Sequence, residues 1–180
     1  MSIVNEHPQE AKESLAELDR DIICHTMSGK PIKPKTVGQR SYVNSIEKSM
    51  IVFGVGPAGT GKSQIAYAVA RILRLPWTTL DMSSINDPEQ LTGSSRVYSN
   101  AKPGIIMEAF SQAGESNLVF IINELDKANS GKGNGNPADV LLTLLDNLGF
   151  TDNYMECMIP TNGVYPIATA NDKENISKPI

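Results

Sequence analysis

Residues 56–63 read Gly56-Pro57-Ala58-Gly59-Thr60-Gly61-Lys62-Ser63, the spacing G-x-x-x-x-G-K-[ST]. An apolar run, Met50 to Val55, precedes them. Behind them Ile65, Ala66, Val69, Ala70 and Leu73 recur at helical spacing. Strand, glycine-rich loop and helix in that order are the setting in which such a loop cradles phosphate oxygens. Gly56, Gly59 and Gly61 permit backbone angles closed to other residues. Successive N–H groups can then curl into an anion nest, and a helix starting near Gly61 adds its positive end. Lys62 reaches outer phosphates, and the Ser63 hydroxyl is suited to Mg²⁺. The loop residues Gly56, Pro57, Ala58, Gly59, Thr60, Gly61, Lys62 and Ser63 are therefore the candidate nucleotide contacts.

Outward from the loop, the pattern alternates between helix and strand. A helix is expected from about Val37 to Lys48 and another from Lys62 to Leu75, stopped by Pro76. Trp77 to Leu80 reads as a short strand, and Asp87-Pro88 can begin a short helix. Gly104 to Ala113 has helical spacing. Leu118 to Ile122 is continuously apolar, as for a strand covered on both faces of a parallel sheet. Asn129 to Pro137 is a glycine- and asparagine-rich loop, Ala138 to Leu148 a helix, and Tyr165 to Ala170 a strand. At the amino end, Ala11, Leu15, Leu18 and Ile22 predict an amphipathic helix over 8–28, ended by Gly29. Lys30 to Lys35, with two prolines, reads as an extended connector. The fold class is α/β with a mainly parallel sheet, divided into a helix and Pro/Lys-rich connector over 1–36 and a phosphate-loop core over 37–180.

Ligands of parallel sheets gather at the carboxyl ends of the strands. After Leu118–Ile122 comes Asn123-Glu124-Leu125-Asp126-Lys127, and after Tyr165–Ala170 comes Asn171-Asp172. In phosphate-loop enzymes a strand ending in Asp-Glu supports the metal with Asp and polarises water with Glu. Here Asn123 stands at the first position. Its amide accepts a hydrogen bond but brings no charge, and loss of an outer metal partner typically lowers affinity or activity about 10–100-fold. Glu124 keeps the base function; its alternative is a solvated strand-end carboxylate. Asn171 is a candidate for the terminal phosphate or the attacking water, its alternative a turn residue. Asp126 and Lys127 read as surface charges.

These residues make the chain resemble the ATPase module of the AAA+ superfamily, specifically that of Lon proteases, from about Gly56 to Asn171. Leu118 to Lys127 is similar to the second nucleotide motif of Lon, where the family has Asp-Glu. Gly93 to Gly104, with Arg96-Val97-Tyr98, resembles the stretch carrying an aromatic pore loop. Thr169-Ala170-Asn171 matches the sensor at the end of a neighbouring strand. The resemblance implies a three-layer phosphate-loop sandwich, ATP and Mg²⁺ as cofactors, Glu124 and Asn171 in catalysis with Lys62, and Ser63 with Asn123 at the metal. It also implies Tyr98 gripping a polypeptide substrate. Residues 29–62 look instead like PhoH-type ATPases, linked to RNA, which place a glutamine near adenine; Gln39 is the matching position. Lon-like modules continue into an arginine finger and a helical lid. With nine residues after Asn171, the expectation is a truncated core, slow turnover in isolation, and a monomer or weak self-association rather than a hexamer.

The remaining numbers set bounds. With 180 residues, one domain of ordinary globular composition is expected, 40% hydrophobic and 20% charged. The net charge of −4 gives no global pull toward nucleic acid or anionic membranes. Lys30, Lys33, Lys35 and Arg40 form a local basic cluster that could meet RNA or simply be solvated. Cys24 and Cys157 lack metal-ligand spacing and read as free thiols. No apolar stretch nears the ~20 residues that span a bilayer, so no membrane partner and a cytoplasmic location are expected.

Overall fold

The computed structural model describes residues 21–49, 51–130, 135–146 and 148–176. Its centre is a four-stranded, all-parallel sheet of β3 (Val52–Val55), β8 (Val164–Ala170), β5 (Leu118–Asn123) and β4 (Trp77–Asp81), in that spatial order. Around it run β1 (Cys24–His25), β2 (Pro31–Ile32), α1 (Val37–Lys48), α2 (Lys62–Leu73), α3 (Pro88–Thr92), α4 (Ile105–Ala113), a 3₁₀ turn (Leu125–Ser130), α5 (Pro137–Leu145), β6 (Phe150–Asp152) and β7 (Cys157–Ile159).

The unbroken apolar run of β5 is explained by the two-residue period of a strand. Val119 and Ile121 face one side and pack with Ala66 and Ala70 of α2 and Ile167 of β8. Leu118, Phe120 and Ile122 face the other, in the larger cluster with Ile106 and Phe110 of α4 and Leu141 and Leu144 of α5. Phe110 meets Phe120 edge-on, centroids 5.7 Å apart. Each fully buried side chain of this kind contributes about 1.5–3 kcal/mol. Helices thus cover both faces, giving the three layers of an α/β phosphate-loop fold.

Helix boundaries follow local chemistry. Thr36 caps α1, accepting from the Gln39 N–H. Asp87 and Gln90 form a reciprocal capping box on α3, with Pro88 in its first turn. Asn136 caps α5. α2 ends where Arg74 turns left-handed, two residues before Pro76.

Three expectations need correction. Residues 1–20 lie outside the described set, but 21–28 are not helical. Cys24 and His25 pair antiparallel with Ile32 and Pro31, and Gly29, at φ 78°, turns the chain between them. The apolar spacing that suggested a helix to residue 28 was outweighed by this tight turn. The helix expected over 138–148 stops at Leu145, leaving Leu148 exposed. The β6–β7 hairpin, Phe150–Asp152 with Cys157–Ile159, was not foreseen, because two three-residue strands show too little alternation to be read.

Candidate nucleotide site

The strand order puts β3, β8 and β5 side by side, with their carboxyl ends on one edge. Val55 pairs with Ala170, and the Gly56 N–H donates to the Ala170 carbonyl at 3.2 Å. The phosphate-type loop therefore leaves its strand beside Asn171. The next strand over ends in Asn123-Glu124. A cleft of about 270 Å³ opens there, lined by residues 58–64, Glu124 and Thr169 to Asn171.

The loop has the backbone that an anion nest requires. Gly59 and Gly61 have φ of 82° and 81°, in the left-handed region open to glycine at little cost. α2 begins directly after Gly61, and no side chain caps it. Its first-turn residues Lys62, Ser63 and Gln64 line the cleft, and the helix start adds a partial positive charge there. Gln39 braces the loop from outside. Its Nε2 donates to the Thr60 carbonyl at 2.7 Å, and its Oε1 accepts from the Lys35 N–H at 2.7 Å. Both ends of that amide are engaged with backbone.

Lys62 lies across the loop. Its ammonium donates to the carbonyls of Gly56 and Pro57 and to Thr60 Oγ1, and stands 3.5 Å from Asn171 Oδ1. Partial burial holds its pKa below the usual lysine range, opposed by the negative charge of Asp126. Asp126 is the residue that the sequence reading misjudged. It is only 7% exposed and accepts from the Asn171 N–H at 3.1 Å. It holds the backbone at the end of β8 and adds negative potential near Lys62. A carboxylate three positions after Asn123, in the turn leaving a buried strand, was the only signal available.

Asn123 sits among three hydroxyl groups. Its Oδ1 accepts from Ser63 Oγ at 3.0 Å and from Thr169 Oγ1 at 3.1 Å, while its Nδ2 donates to the Tyr67 hydroxyl at 3.2 Å. Ser63 and Asn123 are thus brought together as the metal reading requires. Glu124, at the lip of the cleft, has φ 54°, an uncommon conformation for a side chain with Cβ. Among the described residues no three His, Cys, Asp or Glu side chains converge as a metal cluster. A divalent cation here would rely on Ser63 and on phosphate oxygens, which suits Mg²⁺. The residues present fit a nucleoside polyphosphate with its magnesium: amides and an ammonium for the phosphates, a hydroxyl for the metal.

Tyr98 is placed elsewhere, on a loop spanning 93–104. It is 60% exposed and its neighbour Val97 82%. The loop is closed at its base by hydrogen bonds between Ser94 and Lys102 and clasped to the turn after β6. Asp152, fully buried, accepts at 2.9 Å from each of the N–H groups of Gly104, Tyr154 and Met155. Asn153 Nδ2 donates to the Gly93 carbonyl. Arg96 donates to the Tyr154 carbonyl and lies over the Tyr154 ring, 4.9 Å from its centroid. Gly104 must be glycine here, since a Cβ would meet the Leu91 carbonyl oxygen at 2.0 Å.

Comparison with known proteins agrees with this geometry. The model of the ATPase family associated with various cellular activities (AAA) matches residues 52–180. The Lon protease of Methanosphaera stadtmanae is 36% identical over 137 residues, which are 74% of this chain and 16% of that protein. The Lon protease of Malacoplasma penetrans is 38% identical over 136 residues, 74% of this chain and 17% of its own. Lon protease 1 of Bdellovibrio bacteriovorus is 34% identical over 152 residues, covering 81% and 19%. The chain spans about one sixth to one fifth of the length of these relatives. No helix among the described residues is long and apolar enough to cross a membrane. Because the AAA family match runs through every strand of the main sheet and both walls of the cleft, the chain belongs to the AAA ATPase family, as a domain related to the ATPase region of Lon proteases.

Proposed function

We propose that this domain binds ATP with Mg²⁺ and hydrolyses it, slowly when alone, to remodel or translocate a polypeptide. The observation that carries the reading is the convergence of an uncapped helix start, two left-handed glycines, Lys62, the Ser63–Asn123 hydrogen bond and Glu124 on one cleft. In this reading the backbone of 56–63 and Lys62 hold phosphate oxygens. Lys62 exchanges its carbonyl partners for them, a stronger charge-assisted contact. Ser63 and Asn123 hold the magnesium side, and magnesium, when bound, draws negative charge from the phosphate oxygens. Glu124 accepts the proton of a water whose oxygen bonds to the terminal phosphorus as the bond to the leaving diphosphate breaks. Asn171, fixed by Asp126, hydrogen-bonds the terminal phosphate. Tyr98, exposed on its clasped loop, contacts the polypeptide.

Titration of a fluorescent ATP analogue into wild type and Lys62→Ala tests the site. A weakening of about 10- to 100-fold is expected from losing a charge-assisted contact. Equal affinities would remove the assignment.

A second reading, nucleotide-dependent interaction without turnover, draws on the neutral Asn123. If Asn123→Asp brings ATP turnover where wild type has none, that reading gains. The RNA-linked alternative drawn from residues 29–62 has less behind it, because Arg40 of its basic cluster is paired with Asp21 at 2.7 Å. Turnover stimulated by RNA with a steep salt dependence would support it, whereas stimulation by unfolded polypeptide, lost in Tyr98→Ala, supports the first reading.

A further inference from the structure

We propose that Gln39 is a positioning residue for phosphate binding. It pins the Thr60 carbonyl on the outer side of the loop and so keeps the Gly61 N–H turned into the cleft. The inference rests on the nucleotide reading above and gives Gln39 a role other than contact with the base. Gln39 stands in the first turn of α1, where Thr36 caps the helix by accepting from its N–H at 3.1 Å. From there its side chain spans two backbone groups. Nε2 donates to the Thr60 carbonyl and Oε1 accepts from the Lys35 N–H, each at 2.7 Å. A carbonyl oxygen only accepts and a backbone N–H only donates, so these two partners allow the amide one way round. The amino end lies close over the loop, where a Cβ on Gly61 would stand 3.1 Å from Nε2.

The peptide between Thr60 and Gly61 carries this contact to the cleft. It is trans, so its C=O and N–H point in opposite directions across one plane. Gly61 lines the cleft and Gln39 does not. A carbonyl held by Gln39 therefore faces away from the cleft, and the N–H on the other edge of the plane faces in. The neighbouring carbonyls are held differently. Lys62 takes those of Gly56 and Pro57, and that of Gly61 accepts from the Ile65 N–H as the first rung of α2. Gly61 itself offers little resistance to half a turn of the 60–61 plane. Its φ of 81° would become negative, which glycine adopts about as readily. Turned over, the plane would present a carbonyl oxygen to a polyanion. The glycine that makes the nest possible thus leaves its orientation unsecured, and the hydrogen bond from α1 secures it. The pinned group meets phosphate rather than base, so the effect is shared by every polyphosphate.

Calorimetric titration of the full chain with inorganic tripolyphosphate, ATP and GTP, each with Mg²⁺, tests this. Gln39→Met keeps the length of the side chain without its donor. It should weaken all three ligands by one common factor of about 3- to 10-fold, the worth of one net hydrogen bond. In ¹⁵N-labelled wild type, tripolyphosphate should move the Gly61 amide proton downfield as that N–H bonds an anionic oxygen, and Gln39→Met should reduce the shift. A loss confined to ATP, with GTP and tripolyphosphate unchanged, would mark Gln39 as a base-reading residue and overturn the proposal. So would unchanged affinity for all three, or a common loss with the Gly61 shift intact. If tripolyphosphate alone goes unbound, equal losses for ATP and GTP, with the shift followed in ATP, decide the case in the same way. If wild type binds none of the three, the nucleotide reading itself fails and this inference falls with it. Thermal melts identify a variant that has not folded. Gln39→Ala then takes its place, with the same common factor and the same reduced shift expected.

Discussion

The cleft at the strand ends and the clasp beneath Tyr98 make an instructive pair. In the cleft, most of the lining comes from one unbroken stretch, residues 58–64, and its shape is set by backbone angles at two glycines. In the clasp, the decisive contacts join residues 92–104 to residues 152–154 across 48 to 61 positions of sequence. One region is a local motif that a fold carries; the other is a tertiary knot made of a buried carboxylate, an amide and a guanidinium. In the function proposed above the cleft exchanges partners, Lys62 giving up its carbonyls for phosphate oxygens. The clasp is built to keep them.

If the two regions are this different, damage to each should appear in different measurements. Asp152→Ala should have the largest effect. It leaves one buried and two part-buried N–H groups without their acceptor and should lower stability by about 3–5 kcal/mol, at ~1–3 kcal/mol per stranded group, read by chemical denaturation. The nucleotide affinity of the protein that remains folded should hold. A parallel loss of affinity would break the separation of the two regions. Lys62→Ala should do the reverse, weakening ATP about 10- to 100-fold while the denaturation midpoint stays close to wild type. Asn123→Asp sharpens the contrast on the cleft side. Restoring a charged metal partner should raise the Mg²⁺-dependent gain in affinity by about tenfold, the low end for an outer-shell partner, measured by calorimetry. The smallest effect belongs to Arg96→Ala, which removes a cation–π contact worth about 0.5–1 kcal/mol at an exposed site. It should show as faster hydrogen exchange confined to residues 94–102, with nucleotide binding unchanged.

The same contrast explains what the sequence allowed one to read. The loop Gly56–Ser63, the strand ends Asn123-Glu124 and Asn171, and the sheet that brings them together were legible. Glycine spacing, strand-like apolar runs and polar residues just past them are all short-range signals. The parallel direction of the strands follows from the helical crossovers between those runs, whereas their order β3-β8-β5-β4 is a finding of the structure. Asp126 was not legible, because a carboxylate in a turn looks the same whether it faces solvent or a neighbouring strand's N–H. Tyr67 was hidden for a related reason: an aromatic on an amphipathic helix is ordinarily core, and only its distance to Asn123 gives it a chemical setting. Asp152 was hidden because one of its donors, the Gly104 N–H, lies 48 positions away, and the β6–β7 hairpin because strands of three residues show too little alternation. Tyr98 was singled out by resemblance, but what holds its loop in place was not.

Glu124 adopts a left-handed backbone at φ 54°, a conformation that costs a residue bearing Cβ about 1–3 kcal/mol when sparsely populated. A laboratory selecting only for heat resistance would be drawn to this position, since glycine relieves that penalty. The hardier protein so obtained would have surrendered the group proposed to deprotonate water. An improved melting temperature at residue 124 is therefore a warning sign in any engineering campaign on this domain, and gains in robustness are better sought on the far side of the sheet.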